Sequence, residues 1–139
     1  MAEFLDIHKI ERAFDALFSA GILSIKEDAK EDLPYPIDKE DYISVCAEFT
    51  FNAFNIGLRE AAIYFEKSPD GSAVERKRHL FCRAILAFLN PSDGAVNRLQ
   101  DYCQANYGNL GLLQHQIQEA ADYLKLALQA SQNPEYENR

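Results

Sequence analysis

From Tyr42 to Phe65 the chain is nearly saturated with apolar and aromatic residues, and its polar positions are not scattered. Ser44, Glu48, Asn52, Asn55 and Arg59 recur at steps of four, four, three and four. That spacing lines them along one narrow stripe of an α-helix. The rest of the circumference is fit for burial, Val45, Phe49, Phe51, Phe54, Leu58 and Phe65 included. A helix with one thin wet stripe is either the central element of a bundle or a helix that also packs on a second protein molecule.

Helical periodicity continues along the chain, and no run alternates with period two between turn residues, so no strand is predicted. A first helix is expected over residues 3 to 20, with Ile7, Ile10, Phe14, Leu17 and Phe18 inward and Gly21 as its stop. Residues 22–37 form an acidic, proline-containing connection in which Ile22, Leu23 and Ile25 can tuck against the core and Pro34 and Pro36 keep the chain extended. Asp38 suits the N-cap of the second helix, and Glu40 and Asp41 favour its positive end. That helix is expected to run to about Lys67, where Ser68-Pro69-Asp70-Gly71 breaks it.

Ser72-Ala-Val-Glu75 fits a capping box and opens a third helix that ends near Leu89. Asn90-Pro91-Ser92-Asp93 stops it and starts a short fourth helix over about 92 to 106, with Val96, Leu99, Tyr102 and Cys103 inward and Gly108 closing it. The last helix, about 110 to 132, carries Leu113, Ile117, Ala120, Leu124, Ala127 and Leu128 as a stripe suited to bundle packing. Residues 133–139 form a polar tail. The expected fold is all-α: a compact bundle of four main antiparallel helices plus one short one, since short connections make neighbours antiparallel. No internal repeat is present. Ala62-Ile-Tyr-Phe-Glu66 and Ala121-Asp-Tyr-Leu-Lys125 are alike but lie about 60 residues apart, outside the periods of helical repeat arrays.

At 139 residues the chain reads as a single helical domain spanning 1–139, and its 47% hydrophobic content is enough for a real core. The formal charge of −8 opposes nucleic acid and anionic membrane at long range and favours a basic protein partner. Cys46, Cys82 and Cys103 cannot pair completely, and each sits among apolar neighbours, which points to free thiols in a reducing, cytoplasmic setting. The opening Met1-Ala-Glu-Phe-Leu-Asp6 lacks the pattern of a secretory signal, and Glu48 and Arg59 interrupt the best candidate for a membrane span.

Three histidines each stand one helical turn from a carboxylate: His8 with Glu11, His79 with Glu75, and His115 with Glu119. Such pairs can begin a metal site, yet a di-iron bundle needs paired Glu-x-x-His motifs and two further glutamates, and that pattern is missing. Surface i,i+3 and i,i+4 pairs explain the spacing better, since a metal site needs more convergent ligands than this. Glu75-Arg76-Lys77-Arg78-His79, with Arg83, is the one concentration of positive charge, and Arg76, His79 and Arg83 share a face. It reads as a solvated face that can dock the chain's own acidic 27–41 segment, as a contact for an acidic protein or ligand, or as a nucleic-acid contact, which the overall charge opposes. Cys82 lies three residues from His79, but a nucleophilic thiolate needs an activating environment, and Phe81 beside it points to core. No phosphate loop, Gly-x-Ser-x-Gly, Cys-x-x-Cys or dinucleotide fingerprint is present.

The function expected is therefore a non-enzymatic protein-interaction module: a small cytoplasmic adaptor, regulator or immunity-type inhibitor that works through a helical surface. The interaction residues are Phe49, Phe51, Phe54, Arg76, His79 and Arg83. The apolar surplus on the second helix makes a homodimer the simplest use of that surface. No catalytic, cofactor-binding or metal-ligating residue is assigned, and neither nucleic acid nor membrane is expected as a partner. The alternative class is a metal-binding helical-bundle enzyme that uses His79 or His115 with nearby carboxylates.

Overall fold

The first helix, α1 (Ile7–Ser19), starts where Asp6 caps it: the carboxylate accepts from the His8 N–H at 2.9 Å and the Lys9 N–H at 3.4 Å. The start expected at residue 3 falls outside the residues that this computed structural model describes, which are 6–25, 34–36, 39–89 and 96–131. The helix ends as its sequence requires. Gly21 takes φ +83°, its N–H donates to the Phe18 carbonyl, and the Ile22 N–H donates to the Leu17 carbonyl. These two bonds are those of a Schellman stop. Ala13, Ala16 and Leu17 carry the buried stripe of α1, whereas Ile7, expected inward, is 70% exposed in its first turn.

Ile22 and Leu23 are buried against the core. Beyond them lies a short antiparallel pairing of β1 (Leu23–Ile25) with β2 (Pro34–Pro36), which links the two ends of the acidic connection. Three residues a side are too few for an alternating pattern to announce a strand. The connection between them, with Glu27, Asp28, Glu31 and Asp32, lies outside the described residues, as do Asp38, 90–95 and the 133–139 tail.

The long second helix is two helices, α2 (Lys39–Ile56) and α3 (Leu58–Glu66). They part at Gly57, whose φ of +111° and ψ of 152° belong to a region that is nearly glycine-only. The ladder survives on both sides of the break, with the Gly57 N–H on the Ala53 carbonyl at 3.2 Å and the Ala61 N–H on the Gly57 carbonyl at 2.9 Å. α4 (Ala73–Leu89) opens on the expected capping box. The Ser72 N–H donates to Glu75 Oε1 at 2.9 Å and the Glu75 N–H donates to Ser72 Oγ at 3.2 Å.

α5 (Leu99–Ala105) is shorter than the expected 92–106 helix, and Val96 precedes it. Arg98, its N-cap residue, supplies no side-chain cap. The cap comes from α3: the buried Glu66 carboxylate accepts the Leu99 N–H at 2.6 Å, the Gln100 N–H at 3.0 Å and the Gln100 side-chain amide at 3.2 Å. A carboxylate at a helix N-terminus also meets the positive end of the dipole. Gly108 sits in a 3₁₀ turn, Tyr107–Asn109, that leads into α6 (Leu110–Ala130), where Asn109 caps through the Leu112 N–H.

The fold is thus all-α, with six helices among the described residues arranged compactly around one core. α1 packs on α4 and α6, α2 on α3, α4 and α6, and α3 on α4 and α5. Phe49, Phe65 and Phe81 meet at its centre, with ring centroids 5.2 Å apart for Phe49–Phe65 and 5.9 Å for Phe49–Phe81. All six residues of the stripe expected on the last helix are buried. Among the described residues no helix is long and apolar enough to cross a membrane.

Candidate interaction surface

The wet side of α2 is wider than the polar stripe. Of the stripe, Ser44, Asn55 and Arg59 are exposed while Glu48 and Asn52 are half-buried, and Ala47, Phe51, Phe54 and Ile56 also face solvent. Phe51 is 66% exposed and Phe54 is 89% exposed. Phe54, which the sequence marks both as fit for burial and as an interaction residue, is not buried: it is the most exposed large hydrophobic residue described. Phe49 goes the other way: at 1% exposure its ring belongs to the core and offers nothing to a partner. The physical reason is that α2 is apolar on every side, so spacing alone cannot say which side faces in.

Beside Phe54 lies an open groove of about 520 Å³ between α2 and α6, with Ala53 and Leu58 on one wall and Gly111, Gln114 and His115 on the other. A smaller recess of about 70 Å³ adjoins it, sharing Leu58 and Gln114 and bounded by Tyr107 and Leu110. Tyr107 is 50% exposed and Leu110 43%. No Asp, Glu, Lys or Arg occurs in residues 49–58 or in residues 104–118, the two segments that supply most of this surface. On a chain whose residues are 26% charged, that depletion is local and marked. Uncharged centres with aromatic anchors are the compositional mark of protein interfaces. The α6 half of the surface was absent from the sequence expectations, although the charge-free 104–118 run is visible in the sequence.

The basic cluster of α4 is arranged differently. Lys77 Nζ lies 2.7 Å from Asp41 Oδ2, and Arg78 binds Glu48 through two bonds, Nε to Oε1 at 2.9 Å and Nη2 to Oε2 at 2.6 Å. The paired carboxylate raises the Arg78 pKa further above its ordinary value, and the guanidinium also stands 5.2 Å from the Tyr64 ring centroid. Lys77 and Arg78 thus strap α4 to α2; of the two acceptors only Asp41 belongs to the acidic 27–41 segment, whose Glu27, Asp28, Glu31 and Asp32 lie outside the described residues. Arg76 and Arg83 remain exposed, while His79 is half-buried with a buried Nδ1 that has no hydrogen-bond partner.

The other candidate chemistry does not converge. Glu75 is engaged by Ser72 rather than His79, and Glu119 holds Lys9 at 2.8 Å rather than His115. His8 and Glu11 do meet, at 3.5 Å, on an open surface. Among the described residues no three His, Cys, Asp or Glu side chains are grouped to hold a metal ion. All three thiols are buried. Burial raises the Cys46 pKa to about 11 and that of Cys103 to about 12, and it pushes Cys82 well above the usual thiol range. These are thiols at neutral pH, which leaves Cys82 without the thiolate that a nucleophile requires.

Comparison with protein-family models, with curated proteins and with solved structures gives no match for this chain.

Proposed function

We propose that this chain is a non-enzymatic protein-interaction module that docks a partner on the uncharged surface formed by the C-terminal half of α2 and the N-terminal half of α6. The observation that carries the reading is the exposure of Phe51 and Phe54 beside a groove whose lining holds no carboxylate, ammonium or guanidinium. A soluble chain keeps large aromatic rings in water at a cost in solubility and aggregation, so clustered exposed rings mark binding surfaces. The reading takes the helices as the antiparallel bundle that their short connections imply, with α3 continuing α2 and α5 as the short member. It places the activity in the cytoplasm, where three unpaired buried thiols stay reduced.

The overall charge of −8 does not act at this face, so the partner need not be basic there. The reading gives no role to nucleic acid or to a membrane surface. Arg76, His79 and Arg83 stay outside the proposed docking surface, since their neighbours Lys77 and Arg78 are committed to α2. The metal-enzyme alternative gains no support from the geometry of the histidines.

The test is site-specific photo-crosslinking in native cells, with benzoylphenylalanine placed in the full chain at position 51, 54 or 15. Asp15 is exposed on α1 and serves as the control. Protein adducts from 51 and 54 but not from 15 are expected. Equal adducts from all three, or none from 51 and 54, would overturn the reading.

A further inference from the structure

We infer that the occupant of this surface is a second copy of the same chain, joined by a two-fold axis so that Phe54 of each copy enters the groove between α2 and α6 of the other. The inference rests on the docking surface proposed above and names its partner. An isologous interface requires that one patch carry both a shape and its complement. This patch does: the Phe54 ring stands in solvent at the edge of the groove, and Gly111 on the opposite wall leaves the groove open, since a Cβ added there meets nothing within 4 Å.

Charge favours the same occupant. Two copies with a formal charge of −8 repel each other over most of their surface, so they can meet only where each is locally neutral. Residues 49–58 and 104–118 provide that area. Arg59 and Glu60, one cation and one anion, offset each other at the adjoining recess, and the Asp122 carboxylate beyond Gln118 accepts from the Gln118 side-chain amide at 2.9 Å. The Gln114 amide on the groove wall carries both donor and acceptor and can pair with its own kind.

The area is adequate. Phe51, Phe54 and Tyr107, at 66%, 89% and 50% exposure, present on the order of 400 Å² of ring surface. A standard interface buries about 800 Å² per partner, with roughly 65% of a homodimer interface apolar, so these three rings alone cover most of the apolar share.

Sedimentation equilibrium of the full chain tests this directly. The wild-type protein should move from the monomer mass toward twice that mass between about 1 and about 100 µM, the range in which a modest interface associates. Phe54→Glu, which alters a side chain already in water, should raise the dissociation constant at least 100-fold with the circular dichroism spectrum unchanged. Gly111→Trp should do the same by filling the groove from a position that contributes nothing to the core. A wild-type protein that stays monomeric throughout, or variants that both still dimerise, would overturn the inference. If the wild type is monomeric while positions 51 and 54 still crosslink in cells to a protein of another mass, the docking surface stands and the second copy falls; if neither association nor crosslinking occurs, both readings fall.

Discussion

The two halves of α2 are built from similar amounts of apolar side chain and do opposite work. The N-terminal half carries Glu40, Asp41 and Glu48 and is strapped to α4 by Asp41–Lys77 and Glu48–Arg78, with Tyr42, Val45 and Cys46 buried beneath. The C-terminal half, from Phe49 to Ile56, has no ionisable residue, and the side-chain hydrogen bonds of Thr50 and Asn55 stay within α2, on the Cys46 and Phe51 carbonyls; it sends one aromatic ring, Phe49, into the core and leaves Phe51 and Phe54 in solvent. The contrast teaches that polarity, not hydrophobicity, marks the structural half of this helix. Its charges serve the fold, and its exposed apolar side chains are left for something else.

The contrast is sharpest in three phenylalanines of one helix, and the largest predicted effect lies there. Phe49→Ala should cost about 3–5 kcal/mol in equilibrium denaturation of dilute protein, through lost burial and a residual cavity. Phe54→Ala under the same conditions should change stability by no more than about 0.5 kcal/mol. Similar costs at the two positions would erase the distinction, within the C-terminal half, between the ring that builds the core and the ring left in solvent.

The chain returns to structural duty past Gly57, and Glu66 measures how strongly. Glu66→Ala removes the acceptor of three hydrogen bonds and leaves buried amide donors at the start of α5. A loss of about 2–4 kcal/mol is expected, together with faster hydrogen exchange confined first to α5. Unchanged exchange there would show that α5 does not depend on that cap. Gly57→Ala should cost about 1–3 kcal/mol, because a side chain is strained at φ +111° and its Cβ would collide with the Glu60 carboxylate. A neutral outcome would mean that α2 and α3 can straighten into one helix, which would also rearrange the exposed face.

Two smaller effects probe the strapped half. Ser72→Ala should cost about 0.5–2 kcal/mol by uncapping the helix that carries Lys77 and Arg78. Hydrogen bonds from the Ser72 amide, then the Ser68 and Ser72 hydroxyls, hold Glu75 below the usual carboxylate range. A carboxyl whose pKa is depressed on folding stabilises the fold above its unfolded pKa, near 4.3, and loses that contribution as pH falls through the folded value. The part of the Ser72→Ala cost that runs through the Ser72 hydroxyl on Glu75 should therefore fade on acidification below about pH 4, while the part from the lost Glu75 N–H bond to Ser72 Oγ remains. Glu48→Gln should cost about 1 kcal/mol or less, with the difference shrinking as salt rises, since the pair with Arg78 is only partly buried. A larger, salt-independent loss would make the strap a packing element rather than an ion pair.

Local chemistry made much of this fold legible. Gly21 as a stop, the Ser72–Glu75 capping box and the Leu113-to-Leu128 stripe each involve residues within a few positions of one another, and each is in place. What the sequence hid depends on distant partners or on context. The α5 cap comes from Glu66, 33 positions before Leu99, so no local pattern could place the start of that helix. Gly57 lies in an apolar run without a proline or polar cluster to mark a break, and glycine is tolerated inside helices. The polar stripe told only part of the story because Glu48 turns toward Arg78 instead of water, and the wet side of α2 extends beyond Ser44 and Asn55 onto Phe51 and Phe54. The groove wall at Gly111 and Gln114 needed the packing of α6 on α2, although the charge-free run that forms it was in plain view.

Fluorine NMR of the full chain labelled with para-fluorophenylalanine, recorded through a dilution series, tests the central claim most directly. Assigned by single Phe→Leu variants, the resonances of Phe51 and Phe54 should shift with protein concentration, while those of Phe49, Phe65 and Phe81 stay fixed. Resonances of Phe51 and Phe54 that remain at solvent-exposed positions at every concentration, or a shift shared by the core rings, would contradict an account in which one half of α2 builds the fold and the other half receives a second copy.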